Sequence, residues 1–108
     1  MTLIEGLRGT PKSVVFSASA TSTAVDLAPG RAFAIYVPTG FNGTTLTLQV
    51  KVGDGTYKEI DFDDLPFTVT ANKVNQVPAA VFPLVGAELV KFKSDQSETL
   101  TCELFYTT

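Results

Sequence analysis

The chain contains no histidine, no tryptophan, a single methionine and a single cysteine among 108 residues. Lack of histidine removes the commonest general base and the commonest transition-metal ligand. One cysteine, Cys102, excludes an internal disulfide. It shares the phase of Leu100 and Leu104, which marks it as a small buried hydrophobe. A reactive thiol would need a neighbouring base or cation, and there is no imidazole to supply one. There is no G-x-S-x-G, no phosphate loop and no C-x-x-C. Basic charge is short as well: eight Lys and Arg are scattered through a chain of net charge −3. Nucleic-acid binders draw most of their affinity from a basic face, so no nucleic-acid partner is expected. No apolar run reaches the roughly 18 residues of a membrane-spanning helix, so no membrane partner is expected. The opening MTLIEGLRGTPK lacks the charged start and apolar core of a signal peptide, which points to synthesis in a cytosol.

What the chain does have is β-forming material. It is 44% apolar, with fifteen threonines and eight phenylalanines, and no window carries a helical apolar stripe. Residues 31–57, RAFAIYVPTGFNGTTLTLQVKVGDGTY, are the most telling. In Thr44–Val52, Leu46, Leu48, Val50 and Val52 alternate with Thr45, Thr47, Gln49 and Lys51, the period of a half-buried strand. Gly53-Asp54-Gly55 then predicts a hairpin with a primed turn. Arg31–Pro38 is apolar on both sides and predicts a strand buried on both faces, either central in a sheet or covered by a partner.

Further strands are expected at Ser13–Ala20, Thr21–Leu27, Thr56–Asp63, Leu65–Ala71, Ala87–Lys93 and Glu98–Thr107, with a turn at Ser94–Ser97. Val74–Val85, broken by Pro78 and Pro83, reads as an irregular edge. About eight strands with turns every eight to twelve residues predict an all-β fold: an antiparallel β-sandwich, jelly-roll-like. Residues 1–12 read as an N-terminal arm and 13–108 as one domain. Leu3, Ile4 and Leu7 give the arm apolar weight without a strand period, so it is expected to dock rather than stay wet.

Few groups could carry chemistry. Alternation would set Glu59, Asp61 and Asp63 on one strand face beside Asp64, where oxygens could hold Ca²⁺. A solvated acidic face matched by Lys91 and Lys93 across the sheet is the plainer expectation, and no metal or other cofactor is assigned. Paired glycosidase carboxylates need a cleft with one acid in an apolar pocket, and nothing marks one, so no enzyme is expected. A carbohydrate-binding module would need flat exposed aromatics, for which Tyr36, Tyr57, Tyr106 and Phe41 are the candidates, although Phe41, at the tip of the Thr39–Asn42 corner, reads first as an anchor covering the end of the sandwich. Phe105 points opposite to Leu104, and an outward Phe on a last strand marks a partner surface.

Several of these segments resemble a group of small structural proteins of tailed-bacteriophage virions. They are SATSTAVDL at Ser19–Leu27, the aliphatic strand ending at Pro38, the Gly40-Phe41 corner, Leu46–Val50, Asp54-Gly55-Thr56-Tyr57, the acidic stretch Asp61–Asp64 and Glu88–Ser94. In the last segment the group carries an aromatic and Arg pattern, where this chain has Leu89 and Val90 with Lys91 and Lys93. The resemblance implies a jelly-roll-like capsid decoration or cement protein with no catalytic residues. Its partner would be the major capsid protein, its own state a homo-oligomer, with a trimer favoured, and its place the virion surface after assembly in the host cytoplasm. The expected contact residues are Leu3, Ile4, Leu7, Phe41 and Phe105. A neck, tail or fibre component, or a sugar-binding module, are the alternatives.

Overall fold

The computed structural model describes residues 11–26, 31–78 and 89–107. They form β1 (Lys12–Thr21), β2 (Val25–Asp26), β3 (Arg31–Val37), β4 (Thr45–Lys51), β5 (Tyr57–Glu59), β6 (Phe67–Thr68), β7 (Lys73–Gln76) and β8 (Leu89–Thr107). The expected all-β class and strand number are observed, and every pairing is antiparallel.

The strands make one continuous sheet of order β5-β4-β8-β3-β7, with β1 and β2 also on β8 and β6 on β4. β8 is the spine. Lys93 pairs with both Thr47 and Thr21, and Leu104 with both Ile35 and Lys12. One edge of β8 therefore carries β1, while the other carries β4 along its first half and β3 along its second. A single buried cluster takes Val90 and Phe92 from the first half and Cys102 and Leu104 from the second, so both halves enclose one core. Leu46, Leu48, Phe16, Ile35 and Val37 fill it.

Four expectations are corrected. The turn at Ser94–Ser97 is instead a bulge inside β8: Ser19 pairs with Glu98 but Thr21 pairs with Lys93, leaving the intervening β8 residues without β1 partners. Polar residues there do not end the strand, because their side chains bond to a neighbouring loop. The double-faced burial of Arg31–Pro38 fails at Phe33, which is 38% exposed. A register shift between Ala32 and Ala34 inserts Phe33 as an extra residue, after which Ile35 and Val37 face the core. The alternation from Tyr57 stops at Glu59, so Asp61, Asp63 and Asp64 lie in a loop rather than on one strand face. The Gly53-Asp54-Gly55 hairpin is a three-residue loop with Gly55 alone at positive φ (90°), whereas a type I′ turn needs two such residues. Asp54 Oδ1 accepts from both the amide and the hydroxyl of Thr56 and stabilises this loop.

Candidate contact surface

Between the β4 and β3 segments, the open stretch of β8 is covered by the corner leading into β4. Two carboxylates from the β8 bulge take the place of a strand partner. Glu98 Oε1 accepts the amide of Asn42 at 2.8 Å, and Oε2 accepts the amide of Gly43 and the Ser94 hydroxyl, each at 2.8 Å. Asp95 Oδ1 accepts the amides of Thr44 and Thr45, and Oδ2 accepts the Thr44 hydroxyl. Asn42 Nδ2 closes the corner by donating to the Ser97 carbonyl. Gly43 is required by this close approach: a Cβ there would collide with the side-chain oxygens of Asp95 and Ser94. Among the described residues no buried side-chain nitrogen or oxygen lacks a partner.

Asp95 is exposed, and the amides of Thr44 and Thr45 hold its carboxyl below the ordinary value of 3.8. A carboxyl lowered in the folded state adds stability above its unfolded pKa and loses it as pH falls through the native one. Acidification below about pH 4 is therefore expected to destabilise the chain partly through this corner. Asp95→Asn keeps an acceptor oxygen but cannot titrate, so its melting temperature should fall less steeply over that acid range. Parallel acid limbs for the two proteins would remove Asp95 from the account.

Cys102 is fully buried on the core side of β8. Burial pushes its thiol up to about 12, with the Glu98 carboxylate acting in the same direction. The expectation of an inert core thiol stands. A thiol reagent at pH 8 should leave the native chain unlabelled and react only as it unfolds; fast labelling of the folded protein would contradict this burial.

The outer surface of the sheet differs between its two halves. Over β4, β5 and the first half of β8 it is charged and polar. Lys93 Nζ lies 3.0 Å from Glu59 Oε2, so the expected matching of acidic and Lys side chains holds at this one pair, while Asp61 and Asp63 lie off the strand. Both partners are solvated, so the pair contributes about 0–1 kcal/mol. Lys91 sits 4.4 Å above the Tyr57 ring. An open depression of about 180 Å³ is lined here by Thr45, Thr47, Glu59, Pro66, Lys93 and Asp95 among others. No group of three His, Cys, Asp or Glu side chains that could hold a metal occurs among the described residues.

Over β3, β7 and the end of β8 the outer surface mixes apolar side chains with exposed Gln76, Thr101 and Glu103. Cross-strand partners share a face, so Ala34, Tyr36, Val74 and Phe105 stand together. Val74 is 59% exposed, Tyr36 and Phe105 are half-buried, and Phe33, next in the chain to Ala34, is exposed at the bulge. The Tyr36 hydroxyl donates to Asn72 Oδ1, leaving its ring in the face. Sequence reading pointed to this face at Phe105 and, through the partner-covered alternative, at Phe33–Val37; Val74, read as part of an irregular edge, was missed.

The contact residues expected from sequence separate into three groups. Phe105 is on this outer face. Phe41 is buried in the core with its ring edge-on to Phe16, centroids 6.4 Å apart, so it is the corner anchor that the sequence also suggested, and its expected partner contact is corrected. Leu3, Ile4 and Leu7 lie outside the described residues. The aromatic platform of a sugar site is not assembled either. Phe41 is internal, ammonium groups stand over Tyr57 and Tyr106, and Tyr36 is half-buried. Compared with known proteins, the chain matches no family model, no curated protein and no solved structure.

Proposed function

We propose that the chain is a contact protein of a tailed-phage particle, a capsid decoration or cement protein that binds the major capsid protein lattice through the outer face of β3, β7 and β8. The observation that carries this reading is Tyr36, Val74 and Phe105 gathered on one face, with exposed Phe33 at the adjoining bulge, on the half of the sheet away from the Lys93–Glu59 pair. Exposed apolar side chains gathered on one face mark a contact site. The resemblance of Ser19–Leu27, the Gly40-Phe41 corner and Leu46–Val50 to small virion proteins supplies the kind of partner. Repetition on a symmetric lattice, in which a homo-oligomer engages several subunits at once, multiplies modest contacts through effective concentration.

The test is co-sedimentation of the purified chain with emptied heads of the phage that encodes it, beside a Val74→Asp variant. The chain is expected to pellet with the heads and Val74→Asp to stay largely in the supernatant at equal folded content. A native chain that ignores the heads, or a variant that pellets equally well, would overturn the reading.

A further inference from the structure

We propose that Asn42 is a latent modification site. Glu98 and Ser97 keep Asn42-Gly43 from closing into a cyclic imide while the corner is shut, and opening of the corner commits Asn42 to deamidation. The inference stands apart from the contact role above.

The residue pair supplies the chemistry. Asn42-Gly43 is the only Asn-Gly step in the chain, since Asn72 and Asn75 precede Lys73 and Gln76. In such a step the backbone nitrogen of the glycine attacks Cγ of the asparagine, and glycine hinders the approach least because it has no Cβ. The nitrogen gives its proton to hydroxide, the N–Cγ bond forms, and the Cγ–Nδ2 bond breaks as ammonia leaves. Water then opens the ring at either carbonyl and leaves aspartate or isoaspartate at position 42. Water is the only co-reactant consumed.

The corner demands this reactive pair. A Cβ at Gly43 would collide with the side-chain oxygens of Asp95 and Ser94, so glycine is fixed there. Asn42 Nδ2 donates to the Ser97 carbonyl at 3.0 Å, so a side-chain donor is in use at the position before it. Asn42 is exposed, which gives water and hydroxide access.

The same contacts hold the reaction off. The attacking nitrogen, that of Gly43, donates to Glu98 Oε2 at 2.8 Å, and the Asn42 amide donates to Oε1 at 2.8 Å. One carboxylate thus grips the peptide units on both sides of Asn42, and the neighbouring Ser97 grips its side chain. Losing the Gly43 proton would set an anionic nitrogen against an anionic carboxylate and exchange a charge-assisted hydrogen bond for repulsion. A carboxylate is far too weak a base to draw off an amide proton itself. Departure of Nδ2 would also cost the corner its bond to Ser97.

The product cannot restore the corner. A carboxylate at position 42 has no hydrogen to offer the Ser97 carbonyl, and it adds a charge beside Glu98 and Asp95. The isoaspartate form routes the main chain through Cβ and Cγ, which lengthens it and draws the Gly43 amide off Glu98. Opening is therefore recorded covalently and in one direction.

The test ages the purified chain at pH 8 and scores conversion of Asn42 by peptide mapping with mass spectrometry. The chain unfolded in urea is expected to convert fastest and the native chain many-fold more slowly. Glu98→Gln, checked by circular dichroism to be folded, should fall between them. Phe92→Leu, brought with urea to the same folded fraction, controls for general loss of stability and should convert several-fold more slowly than Glu98→Gln. Asn42→Asp, which carries the product's charge on an ordinary backbone, should melt below the native chain. A native chain that converts as fast as the unfolded one overturns the protection. So does a Glu98→Gln variant no faster than its Phe92→Leu control, and equal melting of Asn42→Asp and the native chain overturns the one-way step.

Discussion

Glu98→Ala is expected to destabilise the fold by about 2–5 kcal/mol: roughly 1–3 kcal/mol for the buried Ser94 hydroxyl left without a partner, and about 0.5–1 kcal/mol for each of the part-buried amides of Asn42 and Gly43. The carboxylate is 1% exposed and accepts the amides of Asn42 and Gly43 and the Ser94 hydroxyl. It stands where β8 has neither β3 nor β4 beside it, so no strand can take those amides over. Glu98→Gln separates shape from chemistry. It keeps one acceptor oxygen but turns an NH₂ group toward donors, and should still cost about 2 kcal/mol or more. The adjoining exposed Asp95 remains in both variants, so the corner should loosen without the whole sheet being rewritten. Urea denaturation with an unchanged m-value gives the measurement. A loss below about 1 kcal/mol for Glu98→Ala, within the range of one ordinary hydrogen bond, would show that water replaces the carboxylate freely.

Phe92→Ala is expected to cost about 3–5 kcal/mol, the usual range for emptying a buried phenylalanine site. Its side chain is fully buried and faces the core opposite Leu48. Its backbone is fixed on the other edge of β8, where the Phe92 amide donates to Ser22 Oγ at 3.0 Å and the Phe92 carbonyl accepts the Ser22 amide at 2.8 Å. With the backbone held on both edges, the strand cannot slide inward to fill the space, which places the loss toward the upper end. At about 4–8 °C per kcal/mol for a domain near this size, the melting temperature should fall by roughly 12–40 °C. Phe92→Leu, which leaves a smaller void, should fall by a much smaller amount. Similar melting temperatures for the Ala and Leu variants would mean that the core collapses around the site.

The local alternations were legible where one face is buried and the pairing is regular. Leu46 and Leu48 point inward as their period requires, Cys102 keeps the phase of Leu104, and β1 and β3 begin near their expected limits. The acidic stretch was legible only as far as Glu59. Beyond it, Asp61 and Asp63 have the right spacing but no pairing to hold it, since the ladder from β4 ends with the Ile60 amide on the Leu48 carbonyl. The corner was read as Gly40-Phe41 with Phe41 as a candidate contact, while Glu98 went unnoticed. A glutamate at the head of a strand looks solvated until the loop that needs it is brought from more than fifty residues away in the chain.

By itself, then, the sequence determined the all-β class, the lack of imidazole chemistry and the inward phase of most strands, because side-chain periodicity is a local property of an extended backbone. Tertiary structure decided which interruptions end a strand and which only bend it. Ser94–Ser97 reads as a turn, yet Asp95 and Glu98 keep β8 whole by bonding the corner loop. Arg31–Pro38 reads as either a sheet centre or a partner-covered strand, and one inserted residue in β3 leaves Phe33 exposed while Ile35 and Val37 stay in the core. Both outcomes depend on partners remote in sequence, and the second adds Phe33 to the candidate contact surface.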